Sequence, residues 1–131
     1  MNDHSILVSA VTSNGVAGSE FSELEIRLTG DEQRRLSEQI AAVNFRLRTS
    51  SCSYKSGFHV AGDPTLLIVL AGCLRITLRA GDHRDFSMGK MFVAQDYLAD
   101  GVKFSPEIHG HRAEVIGEEG ILAVHVKLSR R

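Results

Sequence analysis

The sequence has no uninterrupted apolar run longer than residues 66–71, whereas a membrane-spanning helix needs roughly 20 such residues. No transmembrane helix is expected. The opening residues Met1, Asn2, Asp3 and His4 bring neither a basic leader nor an apolar stretch, so a secretory signal is not expected and the cytoplasm is the expected compartment. Cysteine is scarce: Cys52 and Cys73 are the only two and lack metal-type pair spacing. In a reducing compartment both read as small apolar fillers, not as a disulfide or a nucleophile. Net charge is nearly absent, with 15 basic against 16 acidic side chains, which excludes a field strong enough to draw nucleic acid or an anionic membrane. The basic pairs Arg34-Arg35 and Arg130-Arg131 read as solvated surface. Also missing are a Gly-rich phosphate loop, a dinucleotide fingerprint and a nucleophile-elbow serine, which removes the common nucleotide-dependent and hydrolase classes. There are only two prolines, and no internal repeat, low-complexity tract or domain linker.

What remains is an ordinary globular composition, 43% hydrophobic and 24% charged over 131 residues. At that length one domain, residues 1–131, buries roughly two-thirds of the surface of its unfolded chain. Segments 6–11 and 21–28 are apolar-rich and are separated by the turn-forming residues 12–15, so they read as two opening strands. Thr29 is followed three residues later by Glu32, the spacing by which hydroxyl and carboxylate satisfy free N–H groups at a helix start. With Leu36 and Ile40 on one face, this predicts a single short helix over residues 31–42, a lid or edge cover.

From residue 43 the period changes to two. Val43, Phe45 and Leu47 alternate with Asn44, Arg46 and Arg48, a strand with one exposed face. Residues 66–71 are apolar on both faces, which predicts cover from the helix, an N-terminal strand or a second subunit. Leu74, Ile76 and Leu78 alternate with Arg75, Thr77 and Arg79, and the connection at 71–73 reads as a hairpin. Turns at 80–83 and 87–89, a strand over 91–94, and strands over 107–116 and 121–128 divided by 117–120 complete the series. Seven or more short strands with Gly-rich turns indicate a sandwich or barrel. Residues 97–106 form a candidate loop over an opening.

Phe58-His59 with Ala61, Gly62 and Thr65, followed by the apolar residues 66–71 and Gly72, resembles the first cupin motif. Gly110-His111-Arg112 followed by Val115-Ile116-Gly117 resembles the second. The turn Met88-Gly89-Lys90, the acidic Asp96 and the element Gly18-Ser19-Glu20-Phe21 extend the likeness to small bacterial single-domain cupins over most of the chain. The resemblance implies an all-β, cupin-type (RmlC-like) double-stranded β-helix, or jelly-roll barrel, with the short helix near its start. Residues 1–50 would supply N-terminal strands and helix, and 51–128 the barrel. In metal-binding cupins the first motif supplies two His and a Glu, and the second a further His. Here His59, Ala61 and Thr65 stand at the first three positions and His111 at the fourth, so two of the implied ligands are replaced.

Glu107, His109 and His111 alternate with Ile108, Gly110 and Arg112, and share one side if the stretch is extended. Imidazole and carboxylate on one face suit a first-row metal, and equally a polar pocket without metal. The candidate metal ligands are His59, His109 and His111, the ion being Fe, Mn, Ni or Zn; Phe58, Thr65 and Glu107 are the candidate pocket residues. His125, opposite Leu122, Val124, Val126 and Leu128, is expected outside the core or at a subunit contact. Three functions stand open: a cupin that binds a small organic ligand with or without metal; a metal-dependent dioxygenase, isomerase or decarboxylase; and a protein-interaction module that forms an obligate dimer through the doubly apolar strand. The expected partners are a small molecule and a second copy of the chain in a homodimer, with neither nucleic acid nor membrane.

Overall fold

The alternation of apolar and polar residues is realised most plainly over Cys73–Leu78, where Leu74, Ile76 and Leu78 are buried and their neighbours are only partly covered. The computed structural model describes residues 4–14 and 18–130, and the Gly15 end of the expected first turn lies outside them. In chain order the strands are β1 His4–Ser13, β2 Ser19–Asp31, β3 Arg34–Leu36, β4 Ala42–Ser50, β5 Thr65–Ala71, β6 Cys73–Leu78, β7 His83–Ser87, β8 Met91–Gln95, β9 His111–Val115 and β10 Ile121–Leu128. A seven-stranded sheet runs β3-β2-β1-β8-β5-β10-β4, and a three-stranded sheet runs β7-β6-β9. Among the described residues only β1 and β8 pair in parallel.

The two sheets face each other across one apolar core. Val11, Val69, Phe92 and Ile121 from the large sheet meet Leu74, Ile76, Phe86 and Val115 from the small one. A second cluster, centred on Val8, Ala10 and Val93, covers part of the opposite face of the large sheet. Among the described residues there is no helix at all, and hence none long and apolar enough to cross a membrane.

The helix expected over residues 31–42 is not formed. β2 instead continues through Asp31 and turns back into β3. The Asp31 carboxylate accepts from the N–H groups of Gln33 and Arg34 at 3.0 and 3.2 Å. Those are the bonds an acidic side chain offers a helix start, but here they close a turn, because short polar side chains serve either conformation. Two apolar residues, Leu36 and Ile40, both remain about half exposed and could not have stabilised so short a helix by packing.

The hairpin expected at 71–73 is a corner instead. β5 lies between β8 and β10 in the large sheet, while β6 lies between β7 and β9 in the small one. Gly72 makes the crossing at φ +82°, and a Cβ there would lie 2.5 Å from the Gly120 carbonyl oxygen. Only glycine takes that conformation at so close an approach without strain. The β6–β7 pair is the hairpin foreseen around residues 80–83.

β3 and β4 are the two edges of the large sheet, yet only residues 37–41 join them. Six chain steps reach at most about 20 Å, whereas six spacings of a flat sheet span about 29 Å. The sheet is therefore strongly coiled. The joining residues run beside an apolar groove lined by Ser37, Ile40 and Ala42 together with Ile6, Leu24 and Leu128.

Candidate functional site

Between the sheets, beyond the end of the apolar core, lies a cavity of about 250 Å³. Its floor is apolar, from Leu74, Ile76, Phe92 and Ile121, and its polar lining comes from Arg48, Tyr54, His59, Thr65, His111 and His125. An outer chamber of about 440 Å³ shares Arg48, Gly62, Thr65 and His125 with it and adds Asn44, Arg46, Asp63 and Lys127.

Backbone pairing sets the two central imidazoles. His59 and His111 exchange both main-chain hydrogen bonds, at 2.9 and 2.8 Å, the closely bonded type of antiparallel pair. Their side chains thus leave the same face, with ring centroids 4.6 Å apart. Gly110, at φ +96°, permits the approach, since a Cβ on it would lie 2.6 Å from the His59 carbonyl oxygen. Phe58 points elsewhere, its ring held between the guanidinium groups of Arg79 and Arg112 at 3.8 and 4.6 Å.

Behind His111 stands Asp96, only 1% exposed. Its carboxylate accepts from His111 Nδ1 at 2.8 Å, from the Ser19 hydroxyl at 2.5 Å and from the Ala61 N–H at 3.1 Å. Burial alone would raise the carboxyl pKa, but the His111 bond and charge, the Ser19 bond and the Ala61 N–H together outweigh it and hold the group below the ordinary carboxylate range. An ionised Asp96 requires His111 to donate from Nδ1, which leaves Nε2 as an acceptor in the neutral ring. His59 is oriented in the same sense, by Nδ1 donation to the Gly57 carbonyl at 3.1 Å. Desolvation lowers the His59 pKa against that bond, helped by His111 and Arg48.

Of the residues singled out from sequence, His59, His111 and Thr65 line the cavity. Glu107 and His109 do not join them. β9 starts only at His111, and the preceding residues form a turn in which His109 Nδ1 accepts from the Ser105 N–H at 2.8 Å. The positive φ of Gly110 breaks the extended run on which the alternation of Glu107, His109 and His111 depended. No residue of the 97–106 stretch lines either chamber.

Arg48, Tyr54 and His125 complete the lining and were not foreseen. β4 directs Arg46, Arg48 and Ser50 inward and leaves Val43, Phe45 and Leu47 more than half exposed on the outside. β10 follows suit, His125 facing the cavity while Val126 and Leu128 face the outer groove. The signal was present in the alternation of both strands, but the apolar side was taken for the inner one. Desolvation, followed by the charges of Arg48 and Arg46, lowers the His125 pKa.

Metal chemistry, which the cupin likeness implies, is judged by the donor set. Nδ1 anchoring of imidazoles by a carboxylate and a carbonyl is the usual outer support of metal-bound His. Among the described residues, however, no group of three or more His, Cys, Asp or Glu is arranged to hold an ion. A guanidinium, Arg48, shares the chamber. Only His59 and His111 are brought together, His125 lining the cavity without being grouped with them, and two imidazoles beside a guanidinium fall short of the three protein ligands of a catalytic zinc site, so the side chains as arranged do not fit a resident divalent metal.

No protein-family model and no curated protein matches the chain. The chain is similar to several solved structures. SPY1581, a conserved Streptococcus pyogenes protein of unknown function, is 14% identical, with 72% of this chain and 71% of that one covered and a TM-score of 0.48. NMB1881 from Neisseria meningitidis is 19% identical, with 70% and 84% covered and a TM-score of 0.46. A Salmonella typhimurium protein named for ethanolamine utilization, protein Q, is 11% identical, with 98% of each chain covered and a TM-score of 0.43. At these scores the likenesses carry no functional argument.

Proposed function

We propose that the chain is a small-molecule binding protein on a cupin-type jelly roll, with the cavity between its sheets as the ligand site. One observation carries this reading: a chamber of about 250 Å³ with an apolar floor, into which polar side chains from β4, β9, β10 and the segment before β5 converge. Its size lies just below the roughly 300–1,000 Å³ usual for ligand pockets, which suits a metabolite-sized molecule. The buried Asp96 fixes the His111 ring, and a fixed ring gives a hydrogen-bonding site its selectivity.

The test uses Gly62, which borders both chambers and whose added Cβ would meet nothing within 4 Å. Gly62→Trp should obstruct the passage and leave the fold intact. Wild type and variant are equilibrated with a metabolite extract, washed and analysed by mass spectrometry after denaturation. A compound retained by wild type alone is the expected result; identical profiles would reject the reading. Iron, manganese, nickel or zinc at one ion per chain in protein purified without chelator, lost in His111→Ala, would replace it with the metal-dependent enzyme. The same reading includes a homodimer, formed through the outer face of the large sheet.

A further inference from the structure

The charges around the cavity specify what kind of small molecule fits, a step that rests on the ligand-binding reading above. Among the described residues no acidic side chain lines the inner chamber. In the outer chamber Asp63 is the sole acid among the described residues, and it is already occupied by Lys127 at 3.0 Å and Arg130 at 3.7 Å. Against these stand Arg46 and Arg48, neither of which has an ion-pair partner among the described residues.

Arg48 is held in place without being neutralised. Its Nε donates to Ser50 Oγ at 3.3 Å, and its guanidinium lies 4.9 Å from the centre of the Tyr54 ring. These contacts fix the plane of the fork and leave the terminal nitrogens, with four N–H donors, free of protein acceptors. A pre-oriented guanidinium of this kind matches the two oxygens of a carboxylate. Arg46 lies directly across from His125 in the β4–β10 register, so a second cation and an imidazole stand beside the first. Deeper in, the lining is Leu67, Leu74, Ile76 and Phe92, which suits an apolar body and not a second charge.

We propose that the cavity binds a small organic carboxylate, its charged end taken by Arg48 with Arg46 and His125 beside it and its apolar body on the Leu74, Ile76 and Phe92 floor. A phosphate group would share the guanidinium chemistry. The apolar floor favours the carboxylate, because a doubly charged head needs more donors than the inner chamber offers.

The experiment titrates the intact chain with matched acids and amides, hexanoate against hexanamide and benzoate against benzamide, and with inorganic phosphate, following the Leu67 and Ala113 amide resonances. Each acid should bind at least about tenfold more tightly than its amide, as a charge-assisted bidentate bond requires. Arg48→Gln should remove that difference by weakening the acid alone, with an unchanged melting temperature. Gly62→Trp should abolish both. Equal binding of acid and amide, a preference that survives in Arg48→Gln, or phosphate binding where neither acid binds would each overturn the carboxylate assignment and leave the cavity a ligand site. If neither acid binds, the assignment is also overturned; the ligand-binding reading falls only if the extract experiment leaves nothing behind as well.

Discussion

Asp96 is the residue on which the site's geometry depends most. Its carboxylate joins three separate parts of the chain, Ser19 from β2, Ala61 from the segment before β5, and His111 from β9. Asp96→Ala would leave a buried imidazole N–H, a hydroxyl and a backbone N–H without an acceptor, at a cost of about 2–4 kcal/mol. Urea unfolding should show that loss; a change below about 1 kcal/mol would mean that the three donors find other partners. The depressed carboxyl pKa also sets a direction with pH. The stabilisation is complete above the ordinary carboxyl pKa of about 3.9 and is lost as the pH falls through the lower folded value. His125 acts in a different window. Its folded pKa lies below that of a free imidazole, about 6.5, so below that pH the unfolded chain takes up the proton first and stability declines with acidification. A series of urea midpoints from about pH 7.5 to 5 should therefore slope less in His125→Gln than in wild type.

At the scale of elements, glycines decide which strands belong to which sheet. Gly72 carries the chain from β5 in one layer to β6 in the other, at a φ and a closeness to Gly120 that no side chain tolerates. Gly72→Ala should lower unfolding free energy by about 1–3 kcal/mol, with hydrogen exchange accelerating first around Ala71 and Ile121. Unchanged stability would show that the corner can relax. Gly30 has a comparable part in the β2–β3 turn, where an added Cβ would fall 2.0 Å from the Arg34 carbonyl oxygen. That close approach is open only to glycine, so Gly30 permits the return of the stretch after Thr29 as a strand.

At the scale of the whole molecule, the outer face of the large sheet carries an apolar row that is buried toward β1 and β8 and exposed at β4. Phe45, Val126, Leu66, Val93 and Ala10 follow one another across β4, β10, β5, β8 and β1 in register. Phe45 is 70% exposed and Leu47 64%. An exposed apolar strip can be buried against its own copy across a two-fold axis, and the outward Val43, Phe45 and Leu47 of β4 are explained if a second copy covers that end of the face. Sedimentation at tens of micromolar, a concentration generous to an obligate contact, should give twice the chain mass of 14.3 kDa. Phe45→Glu should give the single mass with an unchanged circular dichroism spectrum. A monomeric wild type would end the dimer reading.

Much of the architecture was legible in the order of residues alone. Period-two alternation marked β6 with its buried Leu74, Ile76 and Leu78, and the doubly apolar β5 makes apolar contacts on both faces, Leu67 and Val69 toward the core and Leu66 toward the second cluster, while Leu70 stays 43% exposed. The likeness to cupin motifs pointed to His59 and His111, and the structure pairs them through the backbone. Alternation, however, reports only that a strand has two unlike faces. Which face turns inward depends on what each sheet packs against, and that is a long-range fact: hence the inward Arg48 and His125, and the outward Phe45. The same limit applies to Asp31, whose carboxylate bonds equally well to a helix start or a turn, and to the Glu107, His109 and His111 alternation, which held only if the chain stayed extended. Residue order marked most of the strands and two of the imidazoles, though not β3 or the start of β9. Tertiary packing decided the sheet each strand joined, the side each charge faced and the cavity that their meeting encloses, because those choices are set by contacts between segments far apart in the chain.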